Sequence, residues 1–65
     1  MTENITITAE AVEKAIEHIK HLNKKAEQYK IRGDERMFNN YRCEAFGFER
    51  ALDILDINYD AAYEN

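Results

Sequence analysis

Serine, proline and tryptophan are absent from this 65-residue sequence, glycine occurs twice and cysteine once. Each scarcity removes a class of answer. A single cysteine closes no internal disulfide, which leaves packing and self-association as the supports of a small chain. Without serine the usual hydroxyl nucleophile is gone, and Cys43, the one thiol, reads as a small apolar packing residue. No stretch reads as a linker or a low-complexity segment. Uninterrupted apolar runs reach only two or three residues, too short for a transmembrane helix or the core of a signal peptide. A cytoplasmic protein with no membrane partner is expected.

What remains is short and charged. The chain, residues 1–65, makes a single domain. A domain of this size buries only ~60% of its unfolded surface and commonly leans on a partner. Nine basic residues against thirteen acidic ones give a net charge of −4, which argues against generic binding to phosphate backbones.

Residues 1–7 alternate polar and apolar side chains from Asn4 to Ile7 and read as an extended lead-in. Thr8 suits a helix N-cap, because its hydroxyl accepts an otherwise unpaired amide of the first turn. Val12, Ile19 and Ala26 then recur every seven residues, as do Ala15, Leu22 and Tyr29, with Ile16 widening the seam. Gly33 provides the left-handed conformation that ends a helix, and Asp34 caps the next. Beyond it, Phe38, Ala45, Leu52 and Tyr59 form one seven-residue series, and Tyr41, Phe48, Leu55 and Ala62 the other. The expected fold is all-α: an antiparallel αα-hairpin of two long helices, about 8–32 and 34–57, each roughly 35 Å long. Residues 58–65 form an acidic end expected to fray. A unit of the tetratricopeptide kind fits less well, since Phe38 and Glu44 stand where small residues are wanted.

Helix 2 carries more than this one seam. Cys43, Phe46, Gly47, Ile54, Ile57 and Ala61 recur at three- and four-residue spacing on the side roughly opposite the seam. A helix apolar on two faces is normally buried on two faces, and helix 1 covers only one. The second face is the expected self-association surface, pairing two hairpins into a four-helix-bundle dimer. Gly47 costs about 1 kcal/mol inside a helix relative to alanine. It either marks a close approach by another helix or is a tolerated glycine or kink.

Charge is polarised along the hairpin. Residues 1–19 hold four acids and one base, residues 20–42 seven bases and three acids, and residues 43–65 six acids and one base. The turn end is therefore basic and the open end acidic, so two hairpins attract when stacked antiparallel. Asp53, Asp56, Asp60 and Glu64 lie near the negative end of helix 2, where the dipole disfavours them. With Tyr59 and Tyr63 interleaved, they are a candidate surface for a protein partner with a basic face. A solvated helix end is the plainer alternative.

Other chemistry finds little footing. His18 and His21 are three apart, close enough to share a metal, but no Glu-x-x-His pair is present, Cys43 belongs to helix 2, and a zinc site would need ligands from a second chain, so they read as surface histidines. No catalytic set, metal site or cofactor-binding pattern is read, and a two-helix chain encloses a substrate poorly. An enzyme is not expected. The competing class is a nucleic-acid-associated module using Lys20, Lys24, Lys25, Lys30, Arg32 and Arg36 around the turn. Nucleic acid ranks below a protein partner, because the aromatics there sit on the seam and equal helices leave no short recognition helix.

The turn Gly33-Asp34 and the run from Glu44 to Leu55, EAFGFERALDIL, resemble small all-helical accessory proteins of phages and mobile elements of low-GC bacteria. The resemblance covers most of helix 2. It implies a regulator or inhibitor of a host or phage protein, working in the host-cell cytoplasm, and it transfers no functional residue.

Overall fold

The computed structural model describes residues 7–64, so most of the expected lead-in lies outside the described residues. Two helices pack against each other as a hairpin: α1, Ala9–Ile31, and α2, Glu35–Ile54. A short 3-10 turn, Asp60–Tyr63, then folds back onto α1.

The caps are local chemistry. Thr8 holds an extended backbone, and its hydroxyl oxygen accepts the Ala11 N–H at 3.1 Å. At the far end of α1, Gly33 adopts a φ of 78°. Its N–H donates to the Lys30 carbonyl at 3.0 Å, and the Asp34 N–H reaches the Tyr29 carbonyl at 2.9 Å. That pair of bonds is a Schellman motif, which satisfies carbonyls the helix end would leave free. Asp34 then starts α2 by accepting the Met37 N–H at 3.1 Å.

The buried core is small: Ile19, Leu22 and Ala26 from α1, Ala45 and Leu52 from α2, and Ala62 from the 3-10 turn. Of these, Ile19 is the one large side chain wholly removed from solvent. It clusters with Leu52 and Ala62, and Ala15, Ile16, Ile57 and Tyr59 pack around them. Nearer the turn, Tyr29 and Tyr41 stack with ring centroids 5.6 Å apart. The molecule measures 14 Å along its shortest principal axis, one layer of helices.

Two expectations need correction. Helix 2 stops at Ile54 rather than about Ile57, so the helices have 23 and 20 residues and are not equal. The cause is a second Schellman motif, with Asp56 at a φ of 57° in the place glycine usually takes. The Asp56 N–H donates to the Asp53 carbonyl at 3.0 Å, and the Ile57 N–H to the Leu52 carbonyl at 2.9 Å. Nor does the acidic end fray as expected through the described residues 58–64. Asp60–Tyr63 forms a hydrogen-bonded turn, and Ala62 is buried against α1 and Leu52. Ala62 thus reaches the core by a return of the chain, where the sequence pattern placed it on a continuous helix.

Candidate interaction surface

At about 100° per residue, α2 divides into four strips. Ala45 and Leu52 face α1 and are buried. Directly opposite run Cys43, Gly47 and Ile54, all exposed, with Ile54 at 81%. The two flanks between these strips differ, and the difference comes from the C-terminal turn.

On one flank the turn is tied down. The Tyr63 hydroxyl donates to Glu49 Oε1 at 2.6 Å, and the Tyr59 hydroxyl to Asp53 Oδ2 at 3.2 Å. Glu49 and Asp53 are one helical turn apart on the same side of α2, so both bonds hold the returning chain there. Arg42, on this flank too, hydrogen-bonds Asn23 of α1. Glu49 was not among the expected site residues; a lone glutamate in an amphipathic helix gives no signal that a tyrosine fourteen positions later will reach it.

Among the described residues the other flank has no such cover. Phe48 and Leu55, assigned by their spacing to the hairpin seam, remain 38% and 52% exposed. Phe48 meets the His18 ring of α1 in a T-shaped contact, with centroids 4.8 Å apart. Cys43, Glu44, Gly47, Phe48 and Ala51 line a shallow apolar depression here. Ala51 and Leu55 therefore join the open surface, which the seven-residue pattern alone did not indicate.

The expected self-association set is thereby redrawn. Cys43, Phe46, Gly47 and Ile54 lie together on the exposed outer side of α2, with Phe46 54% exposed and the Arg50 guanidinium 5.9 Å from its ring centre. Ile57 does not belong with them. It lies beyond the helix end, half-buried against the Ile19 cluster. Ala61 is exposed but sits on the 3-10 turn, out of line with the α2 strip. Gly47 has open space where a side chain would begin, with no atom beyond its immediate helix neighbours within 4 Å, so nothing among the described residues requires glycine there.

The acidic end is a partial match to expectation. Asp53, Asp56, Asp60, Tyr63 and Glu64 are exposed, but Tyr59 is half-buried on the core. Partial burial, the hydrogen bond to Asp53 and the nearby negative charge of Asp53 and Glu49 raise the Tyr59 phenol above its ordinary value. Both tyrosine hydroxyls are engaged within the chain, so what this end offers a partner is carboxylate.

At the basic end, Lys24, Lys30, Arg32 and Arg36 are exposed, whereas Lys20 and Lys25 are half-buried. Lys30 lies 5.9 Å from the centre of the Phe38 ring, Arg32 5.4 Å from that of Tyr29, and Lys20 pairs with Glu17 at 3.7 Å. His18 and His21 are both exposed, with ring centroids 6.4 Å apart. Among the described residues no group of three or more His, Cys, Asp or Glu side chains is placed to hold a metal ion. No described helix is long and apolar enough to cross a membrane.

Comparison with protein-family models, with curated proteins and with solved structures gives no match.

Proposed function

We propose that this chain is a non-enzymatic protein-interaction module that self-associates through the outer face and open flank of α2. It acts as a regulator or inhibitor of another protein, in the manner of the phage-type accessory proteins it resembles. The supporting observation is the run of apolar surface from Cys43 through Gly47 and Ala51 to Ile54 and Leu55, flanked by Phe46 and Phe48. Large exposed apolar side chains gathered on one strip of a small acidic protein mark a contact surface. The carboxylates of Asp53, Asp56, Asp60 and Glu64 beside that strip favour a partner with a basic face.

Sedimentation of the wild type against Ile54→Glu tests this reading. Ile54 is the most exposed of the large apolar residues here and is not part of the buried cluster, so the charge leaves the hairpin intact. The wild type is expected to run above monomer mass at tens of micromolar and the variant as a folded monomer. A wild type that stays monomeric and well folded throughout overturns the reading. The competing reading, nucleic-acid contact through Lys24, Lys30, Arg32 and Arg36, has in its favour their exposure at one end. A salt-sensitive gel shift with random DNA at moderate ionic strength would put it first.

A further inference from the structure

We infer that the occupant of the open face of α2 is a second copy of this chain, lying antiparallel across it with the two Gly47 residues at the crossing point. The inference rests on the self-association proposed above and adds the order of the two chains.

Charge decides the direction. Residues 20–42, around the turn, carry seven bases and three acids, while residues 43–65 carry six acids and one base. A parallel pair sets basic end on basic end and acidic on acidic. The antiparallel pair sets each basic end beside the acidic end of the other copy. Local chemistry agrees. The last turn of α2 contains no basic residue to offset the negative end of the helix dipole, and Asp53 adds negative charge there.

Gly47 fixes the register. It sits between Phe46 and Phe48, it has open space above it, and the neighbours one turn away on the same strip, Cys43 and Ala51, are small. The backbone is most approachable at this point, and apolar side chains stand on either side to close over the contact. With the crossing at Gly47, Arg36 lies about 17 Å from it along the axis, just beyond the end of α2 of the second copy, where that chain turns at its Asp56. The missing cation at the end of α2 is then supplied by the other chain.

The native cysteine reports the order directly. With a rise of about 1.5 Å per residue, the two Cys43 residues of an antiparallel pair are on the order of 12 Å apart along the axis. A disulfide needs α-carbons within about 7 Å. In a parallel pair the two Cys43 residues are adjacent. Ala51→Cys places a thiol level with Cys43 of the second copy, and cannot pair with Cys43 of its own helix, two turns away. The experiment is mild copper-catalysed oxidation of the folded full-length chain, read on a non-reducing gel. Tryptic mapping follows, and cleavage after Arg50 separates position 43 from position 51.

The wild type is expected to stay uncrosslinked, and A51C to form a dimer joined 43 to 51 with at least tenfold greater yield. Sedimentation is expected to show association weakening several-fold between low and high salt, because the attraction between the ends is screened. A Cys43–Cys43 disulfide in the wild type, with association strengthened by salt, overturns the antiparallel order and leaves self-association standing. A dimer in which A51C joins neither pair overturns the Gly47 crossing. A monomer at every concentration overturns both this inference and the reading beneath it.

Discussion

The Ile57 N–H donates to the Leu52 carbonyl at 2.9 Å, and the Ile57 side chain packs against the cluster that contains Leu52. Backbone bond and apolar contact together end α2, turn the chain back toward α1, and withdraw Ile57 from the outer face.

Asp56 makes that turn possible at φ 57°, a conformation that costs an L-residue about 1–2 kcal/mol and aspartate somewhat less. Replacing Asp56 with glycine is expected to stabilise the fold by about 0.5–1 kcal/mol. It also removes a negative charge from the negative end of the helix. Thermal unfolding should show the midpoint rising by roughly 2–8 °C, and Asp56→Ala should lower it. A glycine variant that melts no higher than the wild type contradicts the strain assigned to Asp56.

Tyr63→Phe removes the hydroxyl that donates to Glu49 at 2.6 Å. The second oxygen, Oε2, is buried without a hydrogen-bond partner among the described residues. The variant leaves the carboxylate without its protein donor, at an expected cost of about 1 kcal/mol. Amide exchange should quicken at Ala62, whose N–H bonds the Tyr59 carbonyl at 2.9 Å, and less so at Leu22 in the middle of α1. Equal acceleration at both sites would mean that the C-terminal turn does not open separately.

Alkaline pH should loosen the same turn through Tyr59. Its phenol is raised above 10.0 by partial burial, by its bond to Asp53 and by neighbouring negative charge. The folded state therefore holds the proton more firmly than the unfolded chain does. That stabilisation is fully present below the unfolded value near 10 and is lost as pH rises through the folded value. Absorbance titration of the wild type against Tyr59→Phe should show the missing phenol as the late-titrating one, with the turn's amide protection falling over the same range.

Ile19→Ala opens a cavity at the one large side chain among the described residues that is wholly removed from solvent, and is expected to cost about 2–4 kcal/mol. A core this small supplies only about 3–5 kcal/mol of net stability, so the variant should be marginal, with an unfolded population measurable by circular dichroism at 25 °C. Ile31→Ala, at an exposed position, should change stability by less than about 0.5 kcal/mol. Similar losses in the two variants would contradict the location of the core.

Gly47→Ala separates the demands of the chain from those of its contact. Dilute chains should gain about 1 kcal/mol from helix propensity, since the added methyl meets no described atom beyond its immediate helix neighbours within 4 Å. Association should weaken at the same time. Denaturant unfolding at low and high protein concentration measures both, and a gain in stability at each without loss of association would mean that Gly47 is merely tolerated.

The sequence made the hairpin legible because its signals were of the commonest kind. Thr8, Gly33 and Asp34 are standard capping residues, and all three act as caps where expected. Ile19, Leu22, Ala26, Ala45 and Leu52 fall at helical spacing, and all are buried. The end of α2 was illegible because a Schellman motif with aspartate in the left-handed position looks like one more acidic residue on a helix. From that one residue the other differences follow. Ile57 and Tyr59 turn inward, Ala61 leaves the outer strip, and Leu55 becomes a cap instead of a seam position. The asymmetry between the flanks of α2 also had no local signal, because it depends on Tyr59 and Tyr63 reaching Asp53 and Glu49 after the chain reverses.

A body only 14 Å thick along its shortest axis has no deep interior, and every side chain of its core lies within one residue's reach of the outside. Whatever settles on α2 becomes an outer wall for that core, adding to the same free energy that keeps the hairpin shut. If that occupant is a second copy, occupancy and folding are linked by mass action, and the melting temperature should rise with the concentration of the chain itself.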